Sequence, residues 1–297
     1  KPKFDAVIVG AGFAGLYMLH SLRQAGLSAI VYDAAPEVGG TWYWNLYPGA
    51  RCDVESMEYS CQFDADLQQE WTWTERYALQ PEILSYINHV ADRHELRQHF
   101  QFDTRVVGAS YDEGGDYWVV AADDGSEVSA RFLIMATGCL SSTNTPDIPG
   151  IEDFAGEVLH TGRWPHEGID LTQRRVGIIG TGSSGVQAIP VLAEQSAHLT
   201  VFQRTAQYTI PARNRGLEAY EIEAVKSSYP EFRAGNNAMP GAYGMPYQAE
   251  RVSAFDLTPE ERVEELERRW QVGGTTFMGA FSDAIVDPAA NEVVAEF

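Results

Sequence analysis

The sequence predicts an α/β protein with two Rossmann-like dinucleotide-binding domains and a helical insertion. Two observations carry the nucleotide-binding part: the fingerprint G-x-G-x-x-G occurs twice, and each copy follows a short apolar run and opens into a stretch with helical spacing. A third carries the helical part, because beyond Thr205 the strand signals give way to capped helical periodicity.

The first strand is read at Phe4 to Val9, followed by Gly10-Ala-Gly12-Phe-Ala-Gly15 and a helix running through Leu16 to Leu22. The first glycine is wanted for the turn, the second for approach of a diphosphate, and the third for close helix–strand packing. A diphosphate placed there sits on the helix N-terminus. A second strand, Ala29 to Tyr32, ends in Asp33, where a carboxylate accepts hydrogen bonds from ribose hydroxyls. That implies a ribose without a 2′-phosphate, as in FAD or NAD.

Pro36 to Arg51 reads as a loop rich in glycine and aromatics, and Pro81 to His94 as a helix with Ile83, Leu84, Ile87 and Val90 on one face. Arg105 to Ala109 and Tyr117 to Ala122 alternate as strands, with turn signals at Gly114-Gly115 and Asp124-Gly125. Phe132 to Ala136 reads as a buried strand, and Ser141 to Gly150 has linker composition.

The second fingerprint repeats the pattern, with Arg175 to Ile179 as strand, Gly180-Thr181-Gly182-Ser183-Ser184-Gly185 as turn, and a helix entered at Val186 that includes Gln187. Its following strand, Leu199 to Phe202, ends in Gln203-Arg204-Thr205 and not in an acid. A 2′-phosphate would be repelled by a carboxylate and bound by a guanidinium, so this half reads as an NADPH site, against the plainer reading of Arg204 as a solvated surface cation. Two unequal dinucleotide sites in one chain point to electron transfer between two cofactors. Further on, Thr258-Pro259-Glu-Glu261 is a capping box with proline at the first helical position; Val263, Leu266 and Trp270 share a face, and Gly273 stops the helix. The boundaries that follow are 1–138, 139–211 and 212–297.

Composition narrows the classes. The chain has 297 residues, 44% of them hydrophobic, with no apolar run near membrane-spanning length and no signal peptide before the first strand. The expectation is a cytoplasmic protein without a membrane partner. A net charge of -21 with no basic stripe argues against nucleic acid. Cys52, Cys61 and Cys139 form no C-x-x-C pair and read as reduced thiols, with no metal site.

Two further segments carry a family resemblance. Phe154-Ala-Gly156-Glu-Val-Leu-His160-Thr-Gly-Arg-Trp164-Pro165 lies between the fingerprints, and Gly39-Gly40-Thr41-Trp42 through Tyr47-Pro48-Gly49 to Asp53 lies in the first loop. Both resemble signatures of type I Baeyer–Villiger monooxygenases, which use FAD, NADPH and dioxygen to insert oxygen beside a ketone carbonyl. The resemblance implies that Gly40, Thr41, Trp42 and Tyr59 contact or lie against the flavin, and that Asp53 pairs with a catalytic arginine that stabilises a negatively charged oxygenated flavin. It implies Gly180 to Ser184, Gln187, Arg204 and Thr205 as NADP contacts, and His160 as a residue coupling domain movement to NADP binding, with Trp164-Pro165 stiffening the linker. The plainer alternatives are a turn-forming aspartate at Asp53 and ordinary core packing for Trp42 and Tyr59. The family usually has arginine where this chain has Leu46.

The resembling family extends beyond the equivalent of Phe297, with the catalytic arginine and a second FAD segment in that extension, so the chain is expected to be an N-terminal portion. Rival readings are an N-hydroxylating or flavin-containing monooxygenase, and a nucleotide-binding module without turnover. A pyridine-nucleotide disulfide reductase would require a cysteine pair beside the flavin.

Overall fold

The computed structural model describes residues 2–239, 241–244 and 252–297. In chain order the elements are β1 (Phe4–Val9), α1 (Phe13–Gln24), β2 (Ala29–Tyr32), α2 (Thr41–Trp44), α3 (Ala65–Glu70), α4 (Gln80–Arg93), β3 (Phe100–Gln101), β4 (Val106–Asp112), β5 (Tyr117–Ala122), β6 (Glu127–Met135), β7 (Arg175–Ile179), α5 (Ser183–Gln195), β8 (His198–Phe202), α6 (Ala219–Lys226), α7 (Tyr229–Asn237), α8 (Pro259–Val272) and α9 (Pro288–Glu296). The protein is α/β, with two Rossmann-type nucleotide-binding halves and a helical segment after the second.

A six-stranded sheet of order β3-β2-β1-β6-β5-β4 forms around the first fingerprint. β1 pairs in parallel with both β2 and β6, while β5 pairs antiparallel with β4 and β6, so a parallel nucleotide-binding half continues into a meander. Val7, Tyr32, Val120, Val128 and Ala130 form one core cluster of this sheet. On α4, Ile83, Tyr86, Ile87 and Val90 recur at helical spacing and are fully buried. β7 and β8 make a separate two-stranded sheet.

The chain clusters into two compact units: Lys1–Ala50 with Gln80–Val176 and Gln187–Leu199, and Arg51–Leu79 with Gly177–Val186 and Thr200–Phe297. In the second unit Ala254, Leu266, Phe277, Ala280, Phe281, Ala284 and Ala290 form a core. The α8 start obeys its sequence signal: Glu261 N donates to Thr258 Oγ1 at 3.3 Å and Thr258 N donates to Glu261 Oε2 at 2.8 Å. Its stop does too, since Gly273 has φ +73 and a Cβ there would lie 2.4 Å from the Pro211 carbonyl oxygen.

Three expectations need correction. The strand ending at Ala136 pairs as read, yet it is not buried, for Phe132 is 49% and Met135 61% exposed. A continuous apolar run signals a strand suited to cover on both faces, and this end of β6 is open instead. Val263 is also exposed, so Leu266 and the half-buried Trp270 carry the α8 face without it. Within the loop after Pro36 the chain makes one short helix, α2, which its glycines and aromatics did not signal. Further along, Tyr229 and Phe232 are core residues, and positions 240 and 245–247 lie outside the described residues. No described helix is long and apolar enough to cross a membrane.

Candidate nucleotide sites and family

The first fingerprint turn is fixed from three sides. Gly10 has φ +115, and a Cβ there would lie 2.4 Å from the Ala136 carbonyl oxygen. The Cβ of a residue larger than glycine at 15 would meet the Gly10 carbonyl oxygen at 1.8 Å, so α1 can approach β1 only with glycine there. Asp33, at the end of β2, accepts from Ala11 N through Oδ2 at 2.6 Å and from Ala35 N through Oδ1 at 2.8 Å. Its carboxylate therefore holds the turn through both oxygens, with further lone pairs on each oxygen that hydroxyl donors could use. Gly12 caps α1 with no side-chain hydrogen bond to the helix N-terminus, which leaves those N–H groups for an anion. Gly40 has φ +54 and stands against Gly12, where a Cβ would be 2.7 Å from the Gly12 Cα. Thr41 and the buried Trp42 follow as the first residues of α2.

The second fingerprint reproduces the local geometry in a more open setting. A Cβ at Gly185 would lie 2.5 Å from the Gly180 carbonyl oxygen, and Gly180 N donates to the Phe202 carbonyl at 2.9 Å. A Cβ at Gly180 or Gly182 would meet nothing within 4 Å. Gln203 takes the place of the acid: its Nε2 donates to Thr181 Oγ1 at 2.9 Å, tethering the turn as Asp33 does through Ala11. Ser183 and Ser184 begin α5, Ser183 exposed, and Arg204 and Thr205 follow β8 exposed. Gln187, on α5, accepts through Oε1 from the Tyr47 hydroxyl of the first loop at 2.8 Å.

In the segment between the fingerprints, the spacing F-x-G has a local cause: the Phe154 ring lies over Gly156, where a Cβ would come within 2.5 Å of it. His160 accepts from Gly162 N through Nδ1 at 3.0 Å and so caps the 3-10 turn Thr161–Arg163. That is a structural job for the ring. Trp164 and Pro165 are half-buried, and His166 just beyond them packs on Tyr43 with ring centroids 4.5 Å apart.

In the second unit Asp53 is exposed and Tyr59 half-buried. The Cys52 thiol beside Asp53 is pushed up to about 11, chiefly by burial, so it stays protonated and a poor nucleophile. Glu58, next to Tyr59, accepts from Gly244 N at 2.7 Å. Burial foremost, with Glu55 adding to it, pushes its carboxyl up to about 7 against the opposing pull of the Gly244 N–H, Asn236 and Arg233. Arg233, itself buried, donates to the Glu58 carbonyl at 2.8 Å, Ser60 Oγ at 2.5 Å and Gln68 Oε1 at 3.1 Å.

The model of the pyridine nucleotide-disulphide oxidoreductase family matches residues 7–228, a span that takes in both fingerprints. The chain belongs to that family. Within it the similarity runs to monooxygenases: a Baeyer-Villiger monooxygenase of Pseudooceanicola batsensis is 46% identical over 99% of the chain, and a phenazine N-monooxygenase of Lysobacter antibioticus 43% identical over 100%. Among solved structures, an oxidized steroid monooxygenase bound to NADP superposes with TM-score 0.94 at 51% identity, covering 99% of this chain and 56% of that one. A cyclohexanone monooxygenase from Rhodococcus sp. Phi1 bound to NADP+ superposes with TM-score 0.95 at 43% identity, covering 100% and 56%. The chain spans about half the length of the curated relatives it matches, 54% and 55% of the first two.

Some contacts around the first turn escaped the sequence reading. Gly39, quoted there only as part of a signature, has φ +145, donates its N–H to the Ala11 carbonyl and would collide with Leu84 if it carried a Cβ. Gln80, buried at the start of α4, donates through Nε2 to the Trp42 carbonyl at 2.5 Å. The Gly39-Gly40 pair was a visible turn signal; nothing in the sequence marks Gln80 or Glu58.

Proposed function

We propose that this chain forms the FAD- and NADPH-binding part of a flavin-dependent Baeyer–Villiger monooxygenase, converting a small-molecule ketone to an ester or lactone with dioxygen. The observation that carries it is the asymmetry of the two fingerprints, Asp33 closing one and Gln203-Arg204 the other, with the Phe154–Pro165 signature between them. The relatives bound to NADP support the same reading.

Bound flavin supplies hydride acceptance and dioxygen activation. The residues supply placement. The uncapped N-terminus of α1 offers N–H groups to a diphosphate over Gly10, Gly12 and Gly15, and Asp33 accepts from ribose hydroxyls. Gly40, Thr41 and Trp42 bound the flavin. At the second site Gly180, Thr181, Gly182, Ser183 and Ser184 form the diphosphate turn, and the Arg204 guanidinium with Thr205 takes the 2′-phosphate. Asp53 positions the guanidinium that stabilises developing negative charge. Phe154, Gly156, His160, Trp164 and Pro165 keep the connecting segment in one shape. The domain assignment that fits this reading is 1–138 for FAD, 139–211 for linker and NADP, and 212–297 for the helical insertion, in a cytoplasmic enzyme with no nucleic-acid or membrane partner.

Heteroatom oxygenation is the second reading, kept because one relative, at 43% identity, is a phenazine N-monooxygenase. Gas-chromatographic product analysis of the flavin-loaded protein at its natural length with NADPH, against panels of ketones and of aromatic amines, separates the two. Esters or lactones are the expected products. N-oxides without any ester would overturn the proposal.

A further inference from the structure

A hydrogen-bonded path links α5, the helix of the second fingerprint, to the loop of the first. Tyr47-Pro48-Gly49-Ala50 is a type II turn: Ala50 N donates to the Tyr47 carbonyl at 3.0 Å, proline stands at the second position, and Gly49 supplies φ +82 at the third. The turn seats on α5 by two contacts. The buried Tyr47 donates its hydroxyl to Gln187 Oε1 at 2.8 Å. Gly49 lies so close that a Cβ would stand 2.3 Å from the Gln187 carbonyl oxygen and 3.1 Å from Val191 Cγ2. On its far side the turn continues inward, since the Ala50 carbonyl accepts from Gln80 N at 2.8 Å and Gln80 Nε2 donates to the Trp42 carbonyl at 2.5 Å. Trp42 and Gln80 are both buried, so this path runs through packed interior.

We infer that Gln187 and Tyr47 are positioning residues, which dock α5, the helix that follows the second fingerprint turn, onto the Tyr47–Ala50 turn, and that flavin reduction by the nicotinamide nucleotide depends on this contact. The inference rests on the two-cofactor reading above. It gives Gln187 a role through Tyr47 in place of direct nucleotide contact. Glycine at 49 is required twice over, for its backbone angle and for the approach of α5. The side-chain hydrogen bond is the part that can be removed without touching the turn.

The test uses the protein at its natural length, with the variants Tyr47→Phe, Gln187→Met and Gln187→Glu. Hydrogen exchange of the flavin-free protein reports the docking itself: amides of α5 should exchange faster in Tyr47→Phe and Gln187→Met, with β1 and α1 unchanged. In the flavin-loaded protein, flavin reduction at saturating NADPH should slow about three- to tenfold in the same two variants, the size of one lost hydrogen bond, while the NADP+ dissociation constant stays within about twofold. Gln187→Glu keeps an acceptor oxygen for Tyr47 and should restore both readouts. Wild-type exchange and reduction in Tyr47→Phe would overturn the inference. So would a selective loss of NADP+ affinity in Gln187→Met alone, which would make Gln187 a direct ligand. If the wild-type protein is not reduced by NADPH at all, the two-cofactor reading fails, and α5 exchange still decides the docking.

Discussion

The two fingerprints share one local geometry and live in opposite surroundings. In both, the third glycine sits against the carbonyl of the first, and in both the residue after the second strand ties down the middle of the turn. Around Gly10 the turn meets β6 and Gly40; around Gly180 it meets open space, and Ile179, 70% exposed, and Phe202, 55% exposed, flank it. The turn is therefore encoded locally, by glycine spacing, and the enclosure is imposed by what the rest of the chain lays beside it.

The sharpest way to break that comparison is to add one methyl group at each first glycine. Gly10→Ala should cost about 3–5 kcal/mol, strain plus collision with the Ala136 carbonyl, whereas Gly180→Ala should cost only the strain of its positive φ, about 1–3 kcal/mol. Denaturant titrations of both variants check this, and equal costs would mean the surroundings do not matter. A charge test comes next. Arg204→Ala should weaken NADP+ binding relative to NAD+ by about 1.5–3 kcal/mol, a lost charge-assisted contact, read as the ratio of the two dissociation constants; equal losses for both nucleotides would leave Arg204 as a surface cation. The smallest pair compares the tethers. An amide at 33 offers one oxygen to two N–H donors, so Asp33→Asn should destabilise by about 1–2 kcal/mol, and Gln203→Ala, which removes one exposed contact, by no more than about 0.5 kcal/mol. A larger loss at Gln203 would show that the second turn depends on its tether more than the first does.

Much of the fold was legible because it is local. Strand, glycine turn and helix follow each other in both fingerprints, and the α8 boundaries follow from Thr258, Pro259, Glu261 and Gly273. Burial was less legible. Phe132 and Met135 make a convincing interior strand on paper, since an apolar run states what a strand could cover, not what covers it. Of the site, the residue types and the contrast between Asp33 and Arg204 were readable, whereas the second duty of Asp33, the Gly12–Gly40 approach and the Tyr47–Gln187 bond join residues far apart in sequence. Such pairs leave no spacing pattern behind.

The half-buried Glu58 carboxyl has a consequence for how folding exchanges protons with solvent. Its carboxyl titrates at about 7 in the folded chain, pushed up by burial and by Glu55 against Arg233 and the Gly244 N–H, and near 4.5 when unfolded. Between those two values the folded molecule holds a proton that the unfolded chain has released, so folding takes one up. The sign is then fixed: this group's contribution to stability is whole below about 4.5 and is lost as the pH rises through about 7. Calorimetric unfolding near pH 6 in buffers of different ionisation enthalpy should register that proton leaving, and Glu58→Gln should silence it.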